Sequence, residues 1–257
     1  MEALYARHNR GDLVHPDPLW FVRQYETPRD REVVALLAAS LAYGRVGQIH
    51  RSCEAVFSLM AGPAEYVLRR SPEQVRGDLA GFRHRFATGD QVACLLVGAG
   101  RVIREWGSLR TCFLSGLHEG HGTLLPALQR FRDCLLNAAG GHPGHLLPDP
   151  AGGSACKRLH LFLRWLVRRD AVDVGDWESA GPHRLVIPLD THLHRIGLAL
   201  GLTRRRQADL RTAEEVTQGF RAISPDDPVR YDFALARMGM QGDAELPELL
   251  SRARRAA

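Results

Sequence analysis

Lysine is nearly missing from this chain. Of 34 basic side chains only Lys157 is a lysine, and the rest are arginine. Paired cysteines are missing as well. Cys53, Cys94, Cys112, Cys134 and Cys156 are scattered, odd in number and never spaced C-x-x-C. That argues against a disulfide framework, a zinc site or an iron–sulfur cluster. No apolar run approaches the ~20 residues of a membrane span. The opening "MEALYARHNRGDL" has no apolar signal-peptide core, so the expected location is cytoplasmic. Nor does any segment alternate apolar and polar residues long enough to make a strand.

What is present suits a folded domain. The 257 residues are 45% hydrophobic, long enough for a proper buried core. A net charge of +5 and a pI near 9.2 favour a polyanionic partner, although many proteins of similar pI bind no nucleic acid. Helical periodicity runs through residues 28–44, 46–62, 89–107, 122–141, 211–223 and 228–239. In the first of these Val33, Leu36, Leu37 and Leu41 mark one face. The expected fold is all-α. "RLVIPL" reads as an extended loop entering a helix. The Gly/Pro-rich stretch 138–154 divides a single unit into helical halves, roughly 1–140 and 153–257. A monomer is expected.

The isolated lysine sits in "GGSACKRLHLFLRW". Ser154 is a natural N-cap, which places Lys157 in a first helical turn with Leu159, Phe162, Leu163 and Leu166 on the apolar face. The helix dipole and the nearby Arg164 and Arg168 disfavour its ammonium form. A neutral amine there is a nucleophile, a role closed to guanidinium. The other reading is a leftover surface lysine. Downstream, "PLDTHLHRIGLALGL" opens a helix with Asp190 as N-cap. His192 and His194 form an H-x-H, but residues i and i+2 of a helix point apart, so a shared metal ion is not expected.

"PLDTHLHRIGLALGL" resembles the catalytic-aspartate segment of the helix-hairpin-helix DNA glycosylases, the superfamily of endonuclease III. "DDPVRYDFALARMGM" resembles that superfamily's later helix, and "LLAASLAYGRVGQIHRSCEAVF" its early helix pair. Over most of the length, "FRHRF", "SACKRLHLFLRWLVRRD", "IPLDTHLHR" and "DPVRYDFAL" resemble the family called domain of unknown function 2400. The resemblance implies two helical subdomains with a DNA-binding cleft between them and damaged double-stranded DNA as partner. It implies no cofactor. It also gives Lys157 as the nucleophile and Asp190 as the assisting carboxylate. The hairpin Leu-Pro-Gly-Val-Gly that usually precedes the lysine is absent, and "PAGGSACK" stands there instead. The separation of Lys157 and Asp190 is similar to that of an archaeal 8-oxoguanine glycosylase family, which makes 8-oxoguanine the first expected lesion.

On this reading a damaged base is flipped out, and the sugar is attacked by Lys157 with help from Asp190. Tyr43, Arg45 and Gln48 are wedge candidates on the turn between the early helices. Arg45, Gln48, Arg158, Arg164, Arg168 and Arg195 are candidate DNA contacts. In "GFRHRF", Phe82 and Phe86 either stack a base or anchor the core as an i, i+4 pair. Trp165 and Trp177 are candidate pocket walls. Three other functions fit the same residues. They are a DNA-binding module without catalysis, a monofunctional glycosylase in which Asp190 activates water, and a metal phosphohydrolase built on Asp190, His192 and His194.

Overall fold

The chain begins with α1 (Glu2–His8), α2 (Leu19–Val22) and α3 (Pro28–Ser40), followed by α4 (Val46–Phe57), α5 (Pro63–Arg69) and α6 (Pro72–Asp78). A two-stranded hairpin, β1 (Arg83–His84) and β2 (Ala87–Thr88), leads into α7 (Gly89–Trp106), α8 (Leu109–Leu114) and α9 (Leu125–Ala138). After two short 3₁₀ turns come α10 (Lys157–Val167), α11 (Thr191–Ala199), α12 (Leu210–Arg221) and α13 (Asp232–Met240). The computed structural model describes residues 1–240. Among them the hairpin is the only sheet, and the fold is otherwise α-helical. "RLVIPL" is an extended loop. No helix among the described residues is long and apolar enough to cross a membrane.

Local chemistry sets the helix ends. Thr27 accepts a hydrogen bond from Asp30 N at 3.2 Å, with Pro28 at the first helical position of α3. Thr88 and Gln91 close a capping box at the start of α7, and Gly107, with φ of 82°, ends it. The stripe expected on α3 is not what the helix shows: every residue from Glu32 to Ser40 is buried. "VVALLAAS" offers small or apolar side chains on all sides, so α3 lies at the centre, against α2, α5, α7 and α10.

Two groups of helices result. α7 gathers α5, α6, α8 and α9, while α11 packs on α12 and α13. α10 joins the groups: it packs on α3, and its Lys157 and Arg164 pair with Asp190 and Asp232 of the second group. The N-terminus sides with the later half, because α1 packs on α13.

One buried charge belongs to the scaffold alone. Glu32 accepts hydrogen bonds from Leu109 N at 2.8 Å, Arg110 N at 3.3 Å and Trp177 Nε1 at 3.0 Å, so it caps α8 from a distance in sequence. Burial outweighs these bonds and pushes its carboxyl up to about 6. The native state therefore holds this proton more tightly than the unfolded chain does. The contribution is full below the ordinary value of 4.5 and is lost as pH rises through about 6. A shift of this size corresponds to about 2 kcal/mol. Urea unfolding of the wild type and of Glu32→Gln at intervals between pH 4.5 and 7 should show a steeper downward slope in the wild type than in the variant, where buried Asp173, also raised to about 6, still contributes. Equal slopes would contradict it.

Candidate active site

The segment before α10 is a sharp turn. Gly153 has φ of 77°, and Cys156 takes the left-handed conformation with φ of 42°. For a residue with a side chain this costs about 1 kcal/mol or more. It is held by hydrogen bonds from Leu159 N and His160 N to Cys156 O, at 2.9 and 3.1 Å. Ser154 is not the N-cap that the sequence predicts. It forms a β-bridge with Asp209, and Cys156 occupies the cap position without a side-chain hydrogen bond. Lys157 is the first residue of α10.

Asp190 reaches Lys157 from α11. Its Oδ1 accepts hydrogen bonds from His192 N at 3.0 Å and Leu193 N at 2.8 Å, so it does cap the helix. Its Oδ2 lies 2.9 Å from Lys157 Nζ. One carboxylate thus caps α11 through one oxygen and pairs with the lysine through the other. The side chains are 37% and 35% exposed, so the pair is open to solvent on one side. Burial acts to raise the Asp190 carboxyl. The Lys157 ammonium and the Leu193 N–H outweigh it and hold the group below the ordinary carboxylate value.

The pair stands in the wall of a cavity of about 570 Å³ that also includes Tyr43, Trp165, His192 and Phe233. That volume suits a small organic ligand. Two ring nitrogens of its wall residues, Trp165 Nε1 and His192 Nε2, are buried without a hydrogen-bond partner, which is uncommon enough to need a reason. Trp165 borders the cavity. Trp177 does not: it is buried against Phe113 and Phe162.

Three of the arginines predicted to contact DNA have other partners. Arg164 is 2% exposed and is paired with Asp173 and Asp232. Arg168, equally buried, is paired with Asp170 at 2.9 Å, with Asp227 at 2.8 Å and with Asp173. A buried guanidinium paired with carboxylates is already charge-compensated, which removes much of its pull on a phosphate, although Arg164 does border the cavity and its Nη2 has no hydrogen-bond partner. Arg158 donates to Ser40 O at 2.9 Å and to His145 O, and lies 5.1 Å over the Tyr43 ring. It braces α10 against the end of α3. Arg45 and Arg195 are exposed and Gln48 is half-buried, so these keep the surface positions that a phosphate contact needs.

Of the aromatic candidates, Tyr43 is tied down. Its hydroxyl donates to His84 O at 3.0 Å and lies 2.8 Å from His145 Nε2. Phe82 and Phe86 are not an i, i+4 helical pair, because residues 83–88 form the hairpin. Phe82 packs against the core, while Phe86 is 75% exposed in the turn. His84 and His145, which hold this region together, were not singled out by the sequence. Nothing in their spacing signals it, since each meets Tyr43 across more than forty residues.

His192 and His194 diverge as helix geometry requires. His192 borders the cavity, whereas His194 Nε2 bonds Arg205 O at 2.8 Å. Among the described residues no group of three or more His, Cys, Asp or Glu side chains is placed to hold a metal ion. Compared with known proteins, residues 17–241 match the model of a family described as "Protein of unknown function (DUF2400)". No curated protein and no solved structure matches the chain.

Proposed function

We propose, for a chain that belongs to the DUF2400 family, that it is a DNA glycosylase with lyase activity, removing a damaged base through Lys157 and Asp190. The observation that carries this reading is the 2.9 Å contact between the chain's one lysine and a helix-capping aspartate in a cavity wall. The resemblance of "PLDTHLHRIGLALGL" to the helix-hairpin-helix glycosylases points the same way. Two helical groups meeting near this cavity suit a cleft for duplex DNA.

The chemistry follows from the pair. In water an ammonium–carboxylate ion pair is stable. Covering it with DNA removes solvent and favours the neutral pair, amine plus carboxylic acid. Proton transfer from Lys157 to Asp190 then frees the amine lone pair. The nitrogen bonds to the sugar C1′ as the C1′–base bond breaks, and the base leaves with that bond's electrons and takes the proton from Asp190, which becomes a carboxylate again. Loss of a second proton from the amine accompanies sugar-ring opening to the Schiff base, from which β-elimination cuts the strand.

Base release from duplex oligonucleotides, each bearing one lesion and with 8-oxoguanine first, tests the reading. Release of one or more bases by the wild type is the expected outcome, and inactivity across oxidised, alkylated and deaminated bases counts against it. Binding should also weaken as salt rises. Arg45→Ala and Arg195→Ala are each expected to reduce the slope of log affinity against log salt by about 1, as the loss of one phosphate contact does. Unchanged slopes in both variants would place the phosphate path elsewhere.

A further inference from the structure

Among the described residues four large hydrophobic side chains are well exposed: Leu59, Phe86, Leu198 and Ile223. Phe86 is the most exposed of them and the only aromatic. One exposed apolar side chain is ordinary on a protein surface. What sets Phe86 apart is how it is held. It lies in a two-residue turn between β1 and β2, where Arg85 takes φ of 52°. The strand below is fixed through His84, which is fully buried. His84 Nδ1 lies 2.8 Å from Ser52 Oγ and its Nε2 lies 3.1 Å from Tyr43 O. Tyr43 returns the contact by donating to His84 O.

The same residues tie the turn to the active site. Tyr43 and Gly44 border the cavity that holds Lys157 and Asp190. Arg158, next to Lys157, lies over the Tyr43 ring. Gly44, with φ of 101°, lets Arg85 approach so closely that a Cβ there would stand 2.8 Å from its Cδ. Arg83 and Arg85 are exposed beside Phe86, and the Arg85 guanidinium lies 5.4 Å over its ring. The result is an exposed aromatic ring on a turn whose base is fixed, with the Arg85 cation over it and two of its supports, Tyr43 and Gly44, in the cavity wall.

From this arrangement we infer that Phe86 is the wedge that enters the base stack of duplex DNA and keeps it open beside Lys157 and Asp190. The inference rests on the proposed glycosylase reading and assigns the wedge to the hairpin rather than to Tyr43, Arg45 or Gln48. A base step is apolar and flat and is bordered by phosphates. A flat apolar ring with the Arg85 guanidinium over it, in a turn that also exposes Arg83, complements all three properties. Because the hairpin is already fixed, insertion orders little additional chain. Phe86 is a positioning residue here and takes no part in the bond changes.

The test compares wild type, Phe86→Ala and Phe86→Leu on DNA with a natural abasic site, in duplex and in single-stranded form. Borohydride trapping reads the Lys157 chemistry. Fluorescence of a 2-aminopurine opposite the abasic site reads unstacking. Phe86→Ala should lose the fluorescence rise and trap duplex DNA about tenfold less, the size expected when one aromatic–base contact is lost. Its trapping of single-stranded DNA should stay at the wild-type level, and Phe86→Leu should recover most of both signals. A Phe86→Ala protein that still unstacks the duplex overturns the assignment. So does an equal loss on both DNA forms, or a wild type that gives no fluorescence rise. If the wild type unstacks duplex DNA yet forms no adduct on either DNA form, the lyase reading fails while the wedge stands.

Discussion

Lys157→Arg is expected to abolish borohydride trapping on abasic DNA, reducing the adduct by at least ~10³-fold, the scale on which loss of a catalytic nucleophile acts. A Schiff base requires a primary amine, and this chain carries one lysine beside its α-amine. No second lysine can stand in. Arginine keeps a positive charge facing Asp190, so the ion pair across α10 and α11 survives and a collapse of the site is not the explanation for the loss. Its guanidinium does not give up its proton near neutrality. Lys157→Gln should lose trapping equally and bind DNA slightly less. Peptide mapping of the wild-type adduct should place it on the segment containing "SACK". An adduct on the α-amine, or strand cleavage by Lys157→Arg at the wild-type rate, would make the lysine a survivor of the arginine bias. Base release without an adduct in Lys157→Arg would instead assign the chemistry to a water directed by Asp190.

The helices were readable because their apolar residues recur at 3.6-residue spacing and their ends carry Gly, Pro, Thr or Asp. Central α3 is less legible, since "VVALLAAS" gives a one-sided stripe only if its alanines are left out, and the helix buries every residue from Glu32 to Ser40. The hairpin was unreadable for a different reason. "FRHRFAT" has no Gly or Asn where the turn needs a positive φ, and Arg85 takes that conformation only because His84 and Tyr43 fix the strand beneath it. Lys157 and Asp190 were legible by residue type, one being unique and the other a cap before a recognisable run. Arg164 and Arg168 show the limit of that reasoning. Their i, i+4 spacing was plain, but their carboxylate partners come from the following loop, from Asp227 and from α13. A charge's burial depends on such distant partners, which local spacing does not reveal. Glu32 was silent for the same reason: its donors lie on Leu109, Arg110 and Trp177.

Asp190→Asn is expected to keep the fold and the salt-dependent affinity for DNA while lowering turnover at least ~100-fold, the usual scale for a positioned acid–base group. The two oxygens of Asp190 make this separation possible. Oδ1 carries the cap, and asparagine caps a helix about as well as aspartate, so thermal unfolding should move little. Oδ2 faces Lys157 Nζ, and an amide in its place neither accepts the ammonium proton nor balances its charge. Asp190→Ala is the control for the other half of the role. It removes the cap as well and should cost about 1 kcal/mol of stability in addition to the lost turnover. Combining Asp190→Asn with Lys157→Arg supplies the sharper measurement. If carboxylate and amine act in one step, the double variant should be hardly worse than Lys157→Arg alone, because effects within a unit do not add. Full additivity would mean that the 2.9 Å contact joins two residues with separate tasks. A wild-type turnover in Asp190→Asn would reduce Asp190 to a helix cap.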